Sequence, residues 1–472
     1  MKSFLSLFAG MFIVASFTVS CQSTAQQPDP WAKADSILQQ IKEPQFPNKT
    51  YNIVDFGGVG DGTTVNTKAI NSAVDKCSLD GGGQVLVTGG KFLTGPIHLK
   101  SNVNLHIDGS ATLLFTTDPK DYLPLVRTRW EGDDCYNYSP LIYADGQTNI
   151  AITGEGTLDG QGSNSNWWSW KGNKHYGWEE GMPSQLDKEN RPRLKKYNDN
   201  QVPVEERQMG EGHYLRPQFI NLMNCKNVKI EGITLTNSPF WVMHPLLSEN
   251  VTIRGVTVNS MGPNNDGCDP ESCKNVLIEK CTFNTGDDCI ALKSGRDFDG
   301  RQAAAPIENV IVRDCHMKNG HGGVAMGSEI AAGCKDIFVE DCKMDSPMLD
   351  RAIRIKTNSN RGGVTDGVYV RNVAVGQVAI AVVSINCSYH TNKEGSGKFF
   401  PMVKNVHVKK LNSLKSEYAL WLQGLKGHDC VENIEIEDCT FSGVEKENQV
   451  DYVKNLTLKN VVVNGKTVNS QD

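Results

Sequence analysis

Past its first twenty residues the chain has no run of 18 apolar residues, which excludes a further membrane-spanning helix. Positive charge is not in excess. With 48 Lys and Arg against 54 Asp and Glu the net charge is −6, and a pI near 6.0 leaves no dense basic face for phosphates. This argues against nucleic acid as a partner. Helical periodicity is scarce as well: from Gln84 on, apolar residues alternate in short β runs with no helices between them.

The start of the chain is different. Lys2, an apolar stretch through Phe4, Leu5, Leu7, Phe8, Met11, Phe12, Ile13 and Val14, and then small residues read as an export signal over residues 1–20. Thr18-Val19-Ser20-Cys21 is similar to a bacterial lipoprotein cleavage site, so Cys21 is expected to be lipidated and to act as a membrane tether. The expected location is the periplasm or an outer-membrane anchor in a bacterium of Gram-negative type. Residues 21–48 read as a linker with a short helix from Trp31 to Ile41, and residues 49–472 as one domain. The protein is expected to be a monomer.

That domain repeats. Segments opening at Asn227, Asn250, Asn275, Asn309, Asp336, Asn405, Asn433 and Asn455 each place apolar residues one and three positions on. Six positions on stand Ile233, Val256, Cys281, Cys315, Cys342, Leu411, Cys439 and Val461. Most intervals run from 22 to 28 residues. Short strands at that period specify an all-β fold, a single parallel β-helix, rather than a propeller or a leucine-rich horseshoe. Four of the 14 cysteines share a slot with Ile, Val and Leu, so they read as buried thiols in an internal ladder rather than as bridges. Cys268 with Cys273, or Cys387 with Cys430, are the pairs left open.

A solenoid needs its ends covered. Asn66, followed by the stripe Ala69, Ile70, Ala73, Val74 and Cys77 and stopped by Gly81-Gly82-Gly83, reads as a short capping helix. Between Gly160 and Pro217 the repeat is interrupted by an insertion with Trp167, Trp168, Trp170, Tyr176 and Trp178, then Lys188, Arg191, Arg193, Lys195 and Lys196. A long loop of this kind is usually functional, and clustered Trp argues against disorder. Its rings either stack on sugars or plug the loop onto the coil.

Asp287 and Asp288 lie 21 residues after Asp266, about one winding, so the three carboxylates are expected on one face. A protonated acid beside an ionised one is what glycoside hydrolysis requires. Arg354 and Lys356 flank Ile355, so on a strand they share a face and call for an anion between them. His321 sits between Gly320 and Gly322, which permits close approach to a ligand.

Asn264-Asn265-Asp266, Gly286-Asp287-Asp288, Gly320-His321-Gly322 and Arg354-Ile355-Lys356, in that order, resemble the polygalacturonases of glycoside hydrolase family 28. The resemblance runs from about Tyr51 to the C-terminal coils, with Asn265 standing where the family more often has Thr. It implies a right-handed parallel β-helix and inverting hydrolysis of α-1,4-galacturonosyl bonds in pectin. Asp287 would be the general acid, Asp266 and Asp288 would activate the water, and His321 would support them. Arg354, Lys356, Asn264 and Tyr389 would bind substrate. No cofactor and no metal is implied. Inversion calls for acid and base carboxyls roughly 6.5–9.5 Å apart. Exo action on oligogalacturonides is expected if the insertion closes one end of the cleft. Rhamnogalacturonan or xylogalacturonan hydrolysis, a pectate lyase and a non-catalytic glycan-binding solenoid are the alternatives.

Overall fold

Three rows of short parallel strands run the length of the computed structural model, which describes residues 29–470. The export signal and Cys21 lie outside the described residues. Consecutive windings stack in register. One column passes through Val228, Val251, Val276, Val310, Ile337, Val368, Val406, Ile434 and Leu456. All but Leu456 are buried. The result is a right-handed parallel β-helix.

The Asn before most of these apolar residues has a backbone reason. Asn227, Asn250, Asn275 and Asn309 all sit near φ +55 to +58, the left-handed region that Asn tolerates better than most residues. Their amides then join from winding to winding: Asn250 donates to Asn227 at 3.0 Å and Asn309 to Asn275 at 2.9 Å. The interval from Asp336 to Asn405 holds two windings, not one. The extra winding carries Gly367 at φ +79 where its neighbours carry Asn or Asp, so the sequence pattern passes over it.

All thirteen cysteines among the described residues are buried and free. Cys281, Cys315, Cys342 and Cys439 occupy the internal slot, and each thiol donates to the carbonyl two residues back. The helix Thr67–Leu79 covers the first winding with Ala69, Ile70, Ala73, Val74 and Cys77. Asn66 holds the cap position but does not cap. It is buried, and its amide instead ties Val59, Thr64 and Leu93 together. The helix Pro30–Gln40 lies on the outside of the coil, with Ala34 and Ile37 against Leu277, Ile311 and Phe338.

The insertion folds as short helical turns and the helix Arg191–Asp199. Trp167, Trp168 and Trp170 act as plugs. Trp167 is buried edge-on to Tyr122 and Trp170, and Trp168 Nε1 donates to Ser238 O at 2.8 Å.

Candidate active site

The third row of strands includes Met243–Leu246, Ile290–Leu292, Val324–Gly327 and Arg351–Lys356. The turn that enters this row carries Asp266 on one winding, Asp287 and Asp288 on the next, and His321 on the one after. Backbone bonds fix the stack: Gly267 N donates to Asp288 O at 2.9 Å, and Cys289 N to Gly322 O at 2.8 Å. One oxygen from each of the three aspartates lies within 4.8 Å of the others. Nearest oxygens are a shorter measure than the carboxyl separation expected from the sequence, and a single water spans this gap with normal hydrogen bonds. Three carboxylates so close could also ligate a hard cation, but the protein's own cations already sit on them.

Asp288 is fully buried between two of these. Arg354 Nη1 donates to its Oδ1 at 3.0 Å and Lys356 Nζ to its Oδ2 at 2.6 Å. Burial works to raise this acid, but the Lys356 and Arg354 charges outweigh it and hold it below the usual carboxylate range. Asp287 is partly exposed and pairs with His321 Nδ1 at 2.9 Å. Burial opposes ionisation here too, but the His321 hydrogen bond and charge keep Asp287 well down. In return, the Asp287 hydrogen bond pushes the His321 imidazole up to about 9. Asp266 differs from both. Burial, then the Asp287 charge, raise it to about 7.

His321 needs its glycines. A Cβ at Gly322 would lie 2.8 Å from Asp288 Oδ1, and one at Gly320 would meet Asp287 O at 2.7 Å. Asn264 Oδ1 accepts from Lys171 at 2.7 Å and from Arg216 at 2.9 Å. Asn265 is structural: its amide accepts from Ser260 Oγ at 2.6 Å and Gly262 N at 2.9 Å and donates to Phe240 O. The Tyr389 ring lies under Arg354 and Lys356, at 5.6 and 5.4 Å from its centroid.

These groups open into one cavity of about 310 Å³. Asp266, Asp287, His321, Lys356, Asn264 and Tyr389 line it, while Asp288 and Arg354 sit directly behind. The rest of the lining comes from residues outside the four motifs. Glu131 belongs to the hairpin of Val126–Trp130 and Asp133–Asn137, and Lys171 and Arg191 come from the insertion. Lys293, Arg296, Glu329, Arg361 and His390 complete it. Lys293 was legible in principle. In Ile290-Ala291-Leu292-Lys293 the alternation places it outward, as in Arg354-Ile355-Lys356. The tryptophan in the cavity is Trp241, with Lys293 Nζ 4.4 Å over its ring, and not one from the insertion.

A family model described as "Glycosyl hydrolases family 28" matches residues 196–463. A probable polygalacturonase of Vitis vinifera is 32% identical over 402 residues, 82% of this chain and 74% of its own length. The chain belongs to glycosyl hydrolases family 28. Another similar protein, the exo-poly-alpha-D-galacturonosidase of Dickeya chrysanthemi, is 28% identical over 89% of this chain and 75% of its own length. Among solved structures, the hyperthermoactive exopolygalacturonase of Thermotoga maritima superposes with a TM-score of 0.89 at 43% identity. That superposition covers 93% of this chain and 96% of the other.

Proposed function

We propose that this hydrolase cleaves α-1,4 bonds between galacturonates in pectin, working from a chain end. The carrying observation is the acid trio packed against Arg354 and Lys356, an anion-binding pair set beside groups that handle protons. The family membership and the exo-acting relatives support the same substrate class.

In this reading a galacturonate carboxylate enters beside Arg354 and Lys356, where Arg offers a bidentate fork. It competes with Asp288 for both cations, which leaves Asp288 more basic. Its negative charge also makes protonation of Asp287 easier. The proton comes from His321 through their shared hydrogen bond, turning an imidazolium–carboxylate pair into imidazole and carboxylic acid. Asp287 then protonates the departing glycosidic oxygen. A water held between Asp266 and Asp288 loses its proton to them as it attacks the anomeric carbon from the opposite face, so the configuration inverts. Asn264 and Tyr389 contact the sugar.

Lys171 and Arg191 support the exo mode, since they bring the insertion into the cavity lining. Incubation with a defined galacturonate oligomer tests the whole reading. Monomer as the sole early product, first formed as the inverted anomer by NMR, is expected. Internal fragments would refute exo action, faster turnover of rhamnogalacturonan would refute the substrate, and binding without turnover would leave only a glycan-binding solenoid.

We also infer export and tethering through Cys21 on the basis of the N-terminal pattern. Wild type should fractionate with membranes and Cys21→Ser should be released. Equal partitioning of the two would overturn the tether.

A further inference from the structure

Behind Asp266 lies a second carboxyl that the mechanism above leaves unused. Asp269 is 0% exposed, and neither of its oxygens has a hydrogen-bond donor. Asp266 Oδ1 has none either. The position follows from the coil: Cys268 bridges to Ile290, so Asp269 takes its place on the outward side of the third row, in the column of Ala291, Ala325 and Arg354. The two alanines offer methyl groups and no donor.

The charged groups around Asp269 are few. Lys293 Nζ stands 3.5 Å from Asp269 Oδ1, 3.6 Å from Asp266 Oδ2 and 3.3 Å from Glu329 Oε2. One ammonium thus serves three carboxyls. Asp288 also bears on Asp269, but its own charge is matched by Arg354 and Lys356. His244, one winding below, is turned to Glu271 at 2.8 Å. Asp266 itself is within hydrogen-bonding reach of Asp269. Two desolvated carboxylates facing each other with no donor between them repel strongly, and a single shared proton removes the conflict. Of the two, Asp266 lines the cavity and Asp269 does not, so the neutral form belongs to the sealed one.

We propose that Asp269 is a positioning residue that carries this proton, donates it as a hydrogen bond to Asp266 Oδ1, and so keeps Asp266 ionised and aimed at the attacking water. The proposal rests on the reading of Asp266 as a water-activating base. Such a donor would let a buried acid beside Asp287 and Asp288 serve as a base below neutral pH.

The test compares Asp269→Asn, which retains an N–H donor, with Asp269→Leu, which retains volume alone, in the full-length enzyme on a galacturonate oligomer. Asp269→Asn is expected to keep kcat within about threefold, and Asp269→Leu to lose about 10–10²-fold in kcat at unchanged KM. In Asp269→Leu the acidic limb of kcat/KM should move to higher pH, because Asp266 must then hold the proton itself. Infrared difference spectra of wild type at neutral pH should show a protonated carboxyl band that Asp269→Asn removes. Equal losses in the two variants, a wild-type profile in Asp269→Leu, or absence of that band would overturn the proposal. If Asp269→Leu fails to fold, Asp269→Asn and the infrared band still decide. Asp266→Asn separates the two levels: substantial activity there defeats the base reading itself, whereas an inactive Asp266→Asn with the Asp269 pattern missing defeats this proposal alone.

Discussion

At the scale of single residues, Asp287 and His321 behave as one proton-handling unit, and their titration belongs to the pair rather than to either group. His321 keeps its proton up to about 9 because Asp287 holds it. In the proposed mechanism imidazolium supplies the acid, so kcat/KM should fall as pH rises through about 9. His321→Gln cannot carry a proton, and its alkaline fall should come at lower pH; pH–rate profiles of both enzymes check this. Asp287→Asn removes the donor and should lower kcat by about 10²–10⁴ with the thermal midpoint unchanged. A second prediction concerns spacing. The Cβ of Gly322→Ala would press on Asp288 Oδ1 and on Arg354 Cδ at 3.3 Å. Displacing a reacting group by that much should cost about 10² in kcat, visible in steady-state kinetics of a variant that still folds.

At the scale of the strand and its turn, the polyamide ladder holds the windings at one height. Asn275 accepts from Asn309 at 2.9 Å and donates to Asn250 at 3.4 Å, with its backbone at φ +58. Asn275→Ala loses both bonds and retains a strained backbone, whereas Asn275→Gly loses the bonds without the strain. Urea denaturation should therefore rank Ala below Gly by about 1 kcal/mol. The same chemistry explains what the sequence hid. Most windings were legible because Asn and an alternating apolar pair recur, and the one with Gly367 was not, because glycine meets the same backbone demand without leaving the same signature. Asn66 shows the converse. Its type and place match a helix cap, yet burial beside Val59 and Leu93 gave its amide better partners than the helix end.

At the scale of the whole molecule, the cavity is a meeting of the coil with loops that arrive from far along the chain. Its lining includes Lys171 and Arg191 from the insertion. If these close the cleft, Lys171→Ala combined with Arg191→Ala should raise the share of products longer than monomer, as read by chromatography of early digests. Unchanged monomer release would mean that another loop sets the exo mode. The tryptophans of the insertion serve this arrangement indirectly: Trp167 and Trp168 pin the loop to the coil so that Lys171 reaches Asn264.

The sequence by itself determined the parallel coil and the convergence of Asp266, Asp287 and Asp288, because a solenoid turns an interval along the chain directly into a neighbour one winding away. It also determined the shared face of Arg354 and Lys356, since strand alternation is a local rule. Only the tertiary structure decided which cations stand on which acids, that Lys293 serves Asp266, Asp269 and Glu329 together, and that Glu131, Lys171 and Arg191 line the same cavity. Those contacts join segments with no fixed interval between them, and the packing of loops against the coil sets them.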